Sequence, residues 1–326
     1  MAQQYTIMTY NVENLFDTRH DSLKNDEEFL PDSNRRWTQH RFYEKLHEIM
    51  QVIVGAGGDE PPALVGLCEI ENDFVLKAMT AYEPYNQLGY QYVHYEGPDA
   101  RGIDVALLYR PDIFTPLISR PIPVELPDKR RGRDLLYVMG ETVGGQQLHI
   151  IQVHFPSRRE GAEASEPNRI AAARTVNGVT DSIRKLDPKA AIIIMGDFND
   201  NPSDIAPSEI IGAKSHNSTP YLPENMYNLC YDGRRYADRE EGTYFHAGRW
   251  DMLDQIIVSG SLLNGSLPIR LLVPAIIYKP EWITHYDRNH HTAIPNRTYR
   301  GPHYNGGVSD HFPIMVKLSI RQKEAF

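Results

Sequence analysis

The 326-residue chain has little cysteine: only Cys68 and Cys230, far apart in sequence. Neither a disulfide framework nor a cysteine-built zinc site can be drawn from two such residues, and they leave the compartment undecided. Positive charge is also short, with 34 Lys and Arg against 43 Asp and Glu, a formal net charge of −9. Broad capture of nucleic acid on a basic stripe is therefore disfavoured. A nucleic-acid substrate is not excluded, because a metal can neutralise a catalytic face locally and a basic segment, DKRRGRD at 128–134, is present. No run reaches the roughly 18 consecutive apolar residues that a spanning helix needs. An export signal is missing too, although Met1 directly before Ala2, Gln3 and Gln4 fits the scar of a trimmed one, as in a periplasmic or secreted protein.

What remains is 41% hydrophobic and 24% charged, the composition of a soluble globular protein rather than of a disordered chain or a fibre. No interdomain linker stands out, so residues 1–326 are expected to form a single domain. Residues 38–54 read as a helix, with Phe42, Leu46, Ile49 and Ile53 at helical spacing and Thr38 as its cap. Residues 163–185 read as another, and NDFVLKAMTAYE as a third. YTIMTYNVENLFD, ALVGLCE, YQYVHYE, IDVALLYR, AIIIMGD, MLDQIIVSG and FPIMVKLSI read as strands, and residues 135–155 as a hairpin turning at Gly144 and Gly145. Strands outnumber helices, which fall between strand pairs. This favours an α/β arrangement of two mixed β-sheets packed face to face with helices outside. Residues 203–250 look loop-rich, and the Pro-rich insert 268–307 is expected to be a long surface loop over one face.

Five strand ends carry oxygen donors or a proton-transfer group: Asn11 with Glu13, Glu69 with Glu71, Asp197 with Asn199, Asp251 with Asp254, and Asp310 with His311. Singly, each is what a turn contains. Converging on one edge, they make an oxygen-rich site suited to Mg²⁺ or Mn²⁺. Two other metals are disfavoured. Asp197-x-Asn199-x-Asn201 imitates a calcium loop, but Pro202 stands where glycine is needed and Ser208 where glutamate is needed. His290 and His291 lack the helical His partner of a catalytic zinc site and read as loop surface.

Taken in order, Asn11 in the first strand, Glu69 ending the second, VHFPSR, GDFND, LDQIIVS and SDHFPI resemble the endonuclease/exonuclease/phosphatase superfamily over residues 5–320. The resemblance implies a four-layer α/β sandwich with its site at one edge of the two sheets. It implies a divalent-metal-dependent phosphodiester hydrolase that attacks phosphorus with activated water. By position, Asn11, Glu69 and Asp310 match metal-side residues, with Glu69 the direct Mg²⁺ ligand. Asp197 matches the group that orients or deprotonates water, and Asn199 the one that holds a phosphate oxygen. His311 matches the histidine against the scissile phosphate, Asp254 its orienting partner, and His154 the second histidine of the deoxyribonuclease-like and sphingomyelinase-like branches. Which group is the base stays open.

Arg101, Arg158 and Arg169 are candidate contacts to substrate phosphates. VHFPSR lacks the tyrosine of abasic-site repair enzymes, and the loops lack the basic run of a phosphoinositide phosphatase. Because the superfamily it resembles is richest in nucleases, the resemblance makes nucleic acid the first expectation for substrate, with a lipid, sugar or inositol phosphate as the alternative. Aromatics of 221–250 and of the insert could wall a pocket or stack bases. A catalytically silent binding module on the same fold is the alternative of a different class.

Overall fold

The first strand, β1 (Ala2–Leu15), alternates hydrophobic side chains into two different cores. Ile7 faces one core while Met8, Tyr10 and Val12 face the other, as the two-residue strand period requires. The computed structural model describes residues 2–234 and 240–321. Met1, with the trimmed-signal reading, and residues 235–239 of the Tyr-rich stretch lie outside the described residues.

After β1 come α1 (Gln39–Gly57), β2 (Leu64–Ile70), α2 (Asp73–Ala81), β3 (Gln91–His94) and β4 (Asp104–Tyr109). Thr38 caps α1 as its position predicts, its hydroxyl accepting from Arg41 N at 3.4 Å. Next are β5 (Phe114–Ile122), β6 (Leu135–Thr142), β7 (Gln147–His154), α3 (Ala162–Leu186) and β8 (Ile192–Asp197). The β6–β7 hairpin turns at Gly144 and Gly145, with Gly145 N donating to Thr142 O. Short β9 (Ala213–Ser215), β10 (Met226–Asn228), β11 (Tyr244–His246) and β12 (Arg249–Asp251) precede β13 (Asp254–Ser259) and β14 (Ile269–Ile277). Small ribbons β15 (Thr284–Asp287) with β16 (Thr292–Pro295), and β17 (Tyr299–Arg300) with β18 (His303–Tyr304), lead to β19 (Ile314–Arg321).

Six strands form one sheet in the order β14-β19-β1-β2-β4-β3, and seven form the other in the order β5-β6-β7-β8-β13-β10-β9. One core lies between the sheets, with Ile7, Leu107, Val138, Ile150, Ile193 and Val316 in it. A second packs α1 and α2 on the outside of the six-stranded sheet, and a third packs α3 on the outside of the seven-stranded one. These are the four layers of the α/β sandwich. No helix among the described residues is long and apolar enough to cross a membrane.

The insert 268–307 is not the surface loop its prolines led us to expect. Its first part is β14, an edge strand paired antiparallel to β19, and the register shifts between Leu272 and Ile276, around Pro274. Proline donates no ladder hydrogen bond, so it is tolerated at such an edge irregularity.

Strand direction explains where the chemistry gathers. β1 runs parallel to β2, and β7 parallel to β8, whereas β19 is antiparallel to β1 and β13 to β8. The C-terminal ends of β1, β2, β7 and β8 thus share one edge with the N-terminal ends of β13 and β19.

Candidate active site

Backbone register sets three of the side chains next to one another. His154 pairs with Asp197 across β7 and β8, and Asp197 with Asp254 across β8 and β13. Gly196 lets this happen. Its φ is 139° and a Cβ there would sit 1.9 Å from Val153 O, so no larger residue fits the approach just before Asp197.

On the other sheet the strand ends bulge. The β1–β2 register shifts between Asn11 and Leu15, and the β2–β4 register between Cys68 and Ile70. Glu13, Asn14 and Glu69 adopt left-handed φ values of 51°, 51° and 68°. Such irregularities re-aim side chains at strand ends, at a cost of about 1–3 kcal/mol per strained residue. Here they direct Asn11 and Glu69 toward the other sheet. Asn11 Nδ2 donates to Asp197 Oδ2 at 3.0 Å, joining the two sheets through the site. Glu69 Oε2 accepts from Asn14 N at 2.8 Å, while Oε1 lies 3.9 Å from His154 Nε2.

His311 arrives from the loop before β19. Its Nδ1 is 2.7 Å from Asp254 Oδ2, and its Nε2 is 3.9 Å from Asp197 Oδ2 and from Asp310 Oδ1. The loop is held by Ser309, whose hydroxyl donates to Asn11 O at 2.6 Å, and by a bridge between Tyr244 and His311. Thr243 Oγ1 accepts from Leu253 N and Asp254 N, both at 3.2 Å, and fixes the Asp254 backbone.

The two histidines are driven in opposite directions. Burial alone would lower the His311 pKa, but Asp254, Asp197 and Asp310 outweigh it and hold the imidazolium well above its ordinary range. Burial, with Arg133, Arg101 and His311 nearby, pushes His154 well below its ordinary value and keeps it neutral. Its Nδ1 has no hydrogen-bond partner among the described residues. Burial raises Asp197 to about 6 against the opposing pull of His311. Neighbouring groups pushed apart in this way are suited to acid–base work.

Asn11, Glu69, Asp197, Asp254, Asp310, His154, His311 and Asn199 are thus brought to one edge. All but Asn11 and Asp254 line a cavity of about 620 Å³, and Asp254 stands behind His311. Asn199 N donates to Asp197 Oδ1 at 2.8 Å and its Nδ2 to Phe155 O at 3.0 Å, leaving one amide hydrogen without a partner among the described residues. Hard oxygen donors dominate, which fits a divalent cation such as Mg²⁺. Among the described residues no group of three or more His, Cys, Asp or Glu is gathered closely enough to form a finished ligand shell. A cation here would draw further ligands from water and substrate, as Mg²⁺ commonly does.

The three arginines separate. Arg101 lines the cavity. Arg158 also reaches it, but its Nε donates to Asn199 O at 2.6 Å and its Nη2 to Asp204 at 2.8 Å, so it mainly braces the GDFND turn. The structure does not bring Arg169 to this cavity. It is buried behind the turn, donating to Asp200 Oδ1 at 2.6 Å, Ser165 Oγ at 2.7 Å and Ala162 O at 2.7 Å. Spacing could not reveal this, because Asp200 lies in a different element.

Three residues with a place at the site were not singled out by the sequence: Lys45, Tyr244 and Arg297. Glu13, one of the strand-end carboxylates but given no role by the resemblance, is buried at the cavity wall, and burial together with Asp310 raises it to about 7. Only its position two residues after Asn11 hinted at this. Asp251 accepts from Asn201 Nδ2 at 2.6 Å, and Glu71 accepts from Asp17 N at 2.6 Å outside the cavity.

The sequence matches the Endonuclease/Exonuclease/phosphatase family model over residues 6–320. No curated protein sequence matches it. Among solved structures, the chain is similar to D. rerio TDP2 complexed with single strand DNA product, with 16% identity, 97% of this chain and 98% of that one covered, and a TM-score of 0.54. The human Nocturnin catalytic domain with bound sulfate anion gives 17% identity, 98% and 94% coverage, and 0.56. The Bacteroides thetaiotaomicron mannosyl-6-phosphatase Bt3783 gives 16% identity, 96% and 99% coverage, and 0.52. At these identities the structural likeness speaks for the fold.

Proposed function

The chain belongs to the Endonuclease/Exonuclease/phosphatase family, whose members are phosphoester hydrolases that generally use divalent metals, and from that premise we propose that it hydrolyses a phosphodiester with water as the nucleophile. The observation that carries this reading is the line Asp254–His311–Asp197–Asn11, which crosses from one sheet to the other over the cavity. Both sheets supply the site, which supports treating residues 1–326 as one catalytic domain.

Asn11, Glu69 and Asp310 are the residues that would hold Mg²⁺, or Mn²⁺ in its place. The bound cation supplies charge neutralisation at the phosphoryl oxygens. Asp197, raised to about 6, orients the attacking water and takes its proton near neutral pH. His311, cationic and held by Asp254, presents Nε2–H to a non-bridging oxygen, where negative charge grows during attack. Asp254 is a positioning residue. His154, neutral and beside Asp197, suits hydrogen bonding to the departing oxygen better than donating a proton outright. The remaining Asn199 amide hydrogen reaches for a phosphate oxygen.

Nucleic acid is the first substrate class to try. A second reading, a lipid, sugar or inositol phosphate, is favoured by the modest cavity volume of about 620 Å³ and by its wall of insert residues, including Arg297 and Tyr299. The deciding experiment is a panel of plasmid DNA, single-stranded DNA, RNA, sphingomyelin and inositol phosphates, each with Mg²⁺, Mn²⁺ or EDTA. Wild type is compared with His311→Ala. Metal-dependent cleavage of nucleic acid, lost in the variant, supports the nuclease. Turnover confined to a small phosphate ester moves the substrate class, and no turnover by folded protein supports a binding module.

A further inference from the structure

The segment before β17 is fastened to the catalytic wall from two directions. Thr298 N donates to Glu13 Oε2 at 2.7 Å, and Lys45 Nζ, buried in α1, donates to Thr298 Oγ1 at 2.6 Å and to Glu13 O. Ser309 N donates to Asn296 O at 3.3 Å. Between these anchors stands Arg297. Its Nη2 donates to Asp310 Oδ2 at 2.6 Å, and its Nε lies 3.6 Å from Glu13 Oε1 without a hydrogen bond. Its Nη1 donates to nothing among the described residues, and the side chain is 41% exposed and lines the catalytic cavity as well as a smaller one that shares Asp310 with it. Two acids therefore flank the guanidinium, and its Nη1 is left to solvent or a ligand.

Arg101 is comparable. Its guanidinium makes no hydrogen bond among the described residues, and its Nε stands 3.8 Å from Asp99 Oδ1. It precedes β4 while Asp310 and its partner Arg297 lie by β19, so the two arginines flank β1 and β2, which carry Asn11 and Glu69. Arg158 and Arg169 are occupied by Asp200, Asp204, Asn199 and the start of α3. A guanidinium with free, pre-aimed N–H groups matches phosphate geometry.

We propose that Arg297 binds a non-bridging oxygen of the substrate phosphate and, with Arg101 on the other side, closes a two-sided clamp on it. The inference rests on the hydrolase reading above and adds a substrate ligand to it.

The test is calorimetric binding of inorganic phosphate to the full chain with Mg²⁺ present, comparing wild type with Arg297→Gln, whose amide can still bond Asp310. Losing a charged hydrogen bond predicts phosphate affinity weaker by about ten-fold or more, and a KM for bis-p-nitrophenyl phosphate raised similarly. Unchanged phosphate affinity in a folded variant overturns the proposal, whatever happens to stability. Should Arg297→Gln fail to fold, Arg297→Lys decides: it keeps the charge facing Glu13 and Asp310 but loses the fork, so weaker phosphate binding supports the clamp and unchanged binding overturns it. Arg297-dependent phosphate binding by a protein that hydrolyses no ester would keep the clamp and remove the hydrolase reading. Hydrolysis with Arg297-independent phosphate binding would do the reverse.

Discussion

Asp197→Asn is expected to make the metal-free protein more stable while disabling it. The folded carboxyl binds its proton more tightly than an unfolded one, with a pKa raised by burial from 3.8 to about 6. Stability from that proton is present below the unfolded value and is lost as pH rises through about 6. At about 1.4 kcal/mol per pKa unit, ionised Asp197 destabilises the fold by about 3 kcal/mol above that pH. Asparagine carries no charge and can still accept from Asn199 N. Its amide nitrogen, however, faces Asn11 Nδ2, and either a repulsion or a flip of Asn11 forfeits a hydrogen bond, about 1 kcal/mol. The net gain is about 2 kcal/mol. Urea unfolding in EDTA at about pH 8 should show that gain, and at about pH 4.5 most of it should vanish because wild-type Asp197 is then largely protonated. Hydrolysis should fall by about 10²–10⁴ at the same time. A variant less stable than wild type at both pH values, by the same margin, would refute the electrostatic argument.

Three further outcomes are expected. Glu69→Gln should weaken Mg²⁺ binding by about ten-fold or more in a calorimetric titration, with the fold intact by circular dichroism. Asp254→Asn should lower kcat by about 10²–10⁴ and move the alkaline limb of the pH–rate profile to lower pH, because the first carboxylate holding His311 protonated is gone. Asp200→Ala should cost about 3–5 kcal/mol in urea unfolding by leaving Arg169 buried and unpaired, and adding Arg169→Met should recover much of it.

Central strands and their endings were legible in the sequence because they repeat simple rules. Thr38 before a helical stripe, the Gly144-Gly145 turn and the isoleucine run before Asp197 each state a local preference that the fold keeps. The two long strands that were missed, β5 and β14, share a cause. Both are sheet edges containing proline, Pro116 and Pro121 in one and Pro274 in the other, and both shift register beside a proline. Proline breaks the pattern by which a strand is read, yet an edge accommodates it. At the site, residues ending apolar runs were found and those acting through distant partners were not. Arg297 meets Glu13, and Lys45 meets Thr298, across more than half the chain, so no spacing announces either. Arg169 shows the converse, since an arginine in a plausible place has its whole fork engaged inside the fold.

The Asn11–Asp197 bond places half of the chemistry on each sheet. Neither sheet holds a working half on its own, since one carries Glu69 and the other His154, Asp197 and Asp254. On the hydrolase reading proposed above, turnover would then be a clock for sheet docking. In a refolding experiment, far-ultraviolet circular dichroism would recover as strands and helices form, whereas turnover would return only when the two layers have seated in final register. Substitutions in the core between them, far from any substrate, would delay that return without touching the catalytic groups.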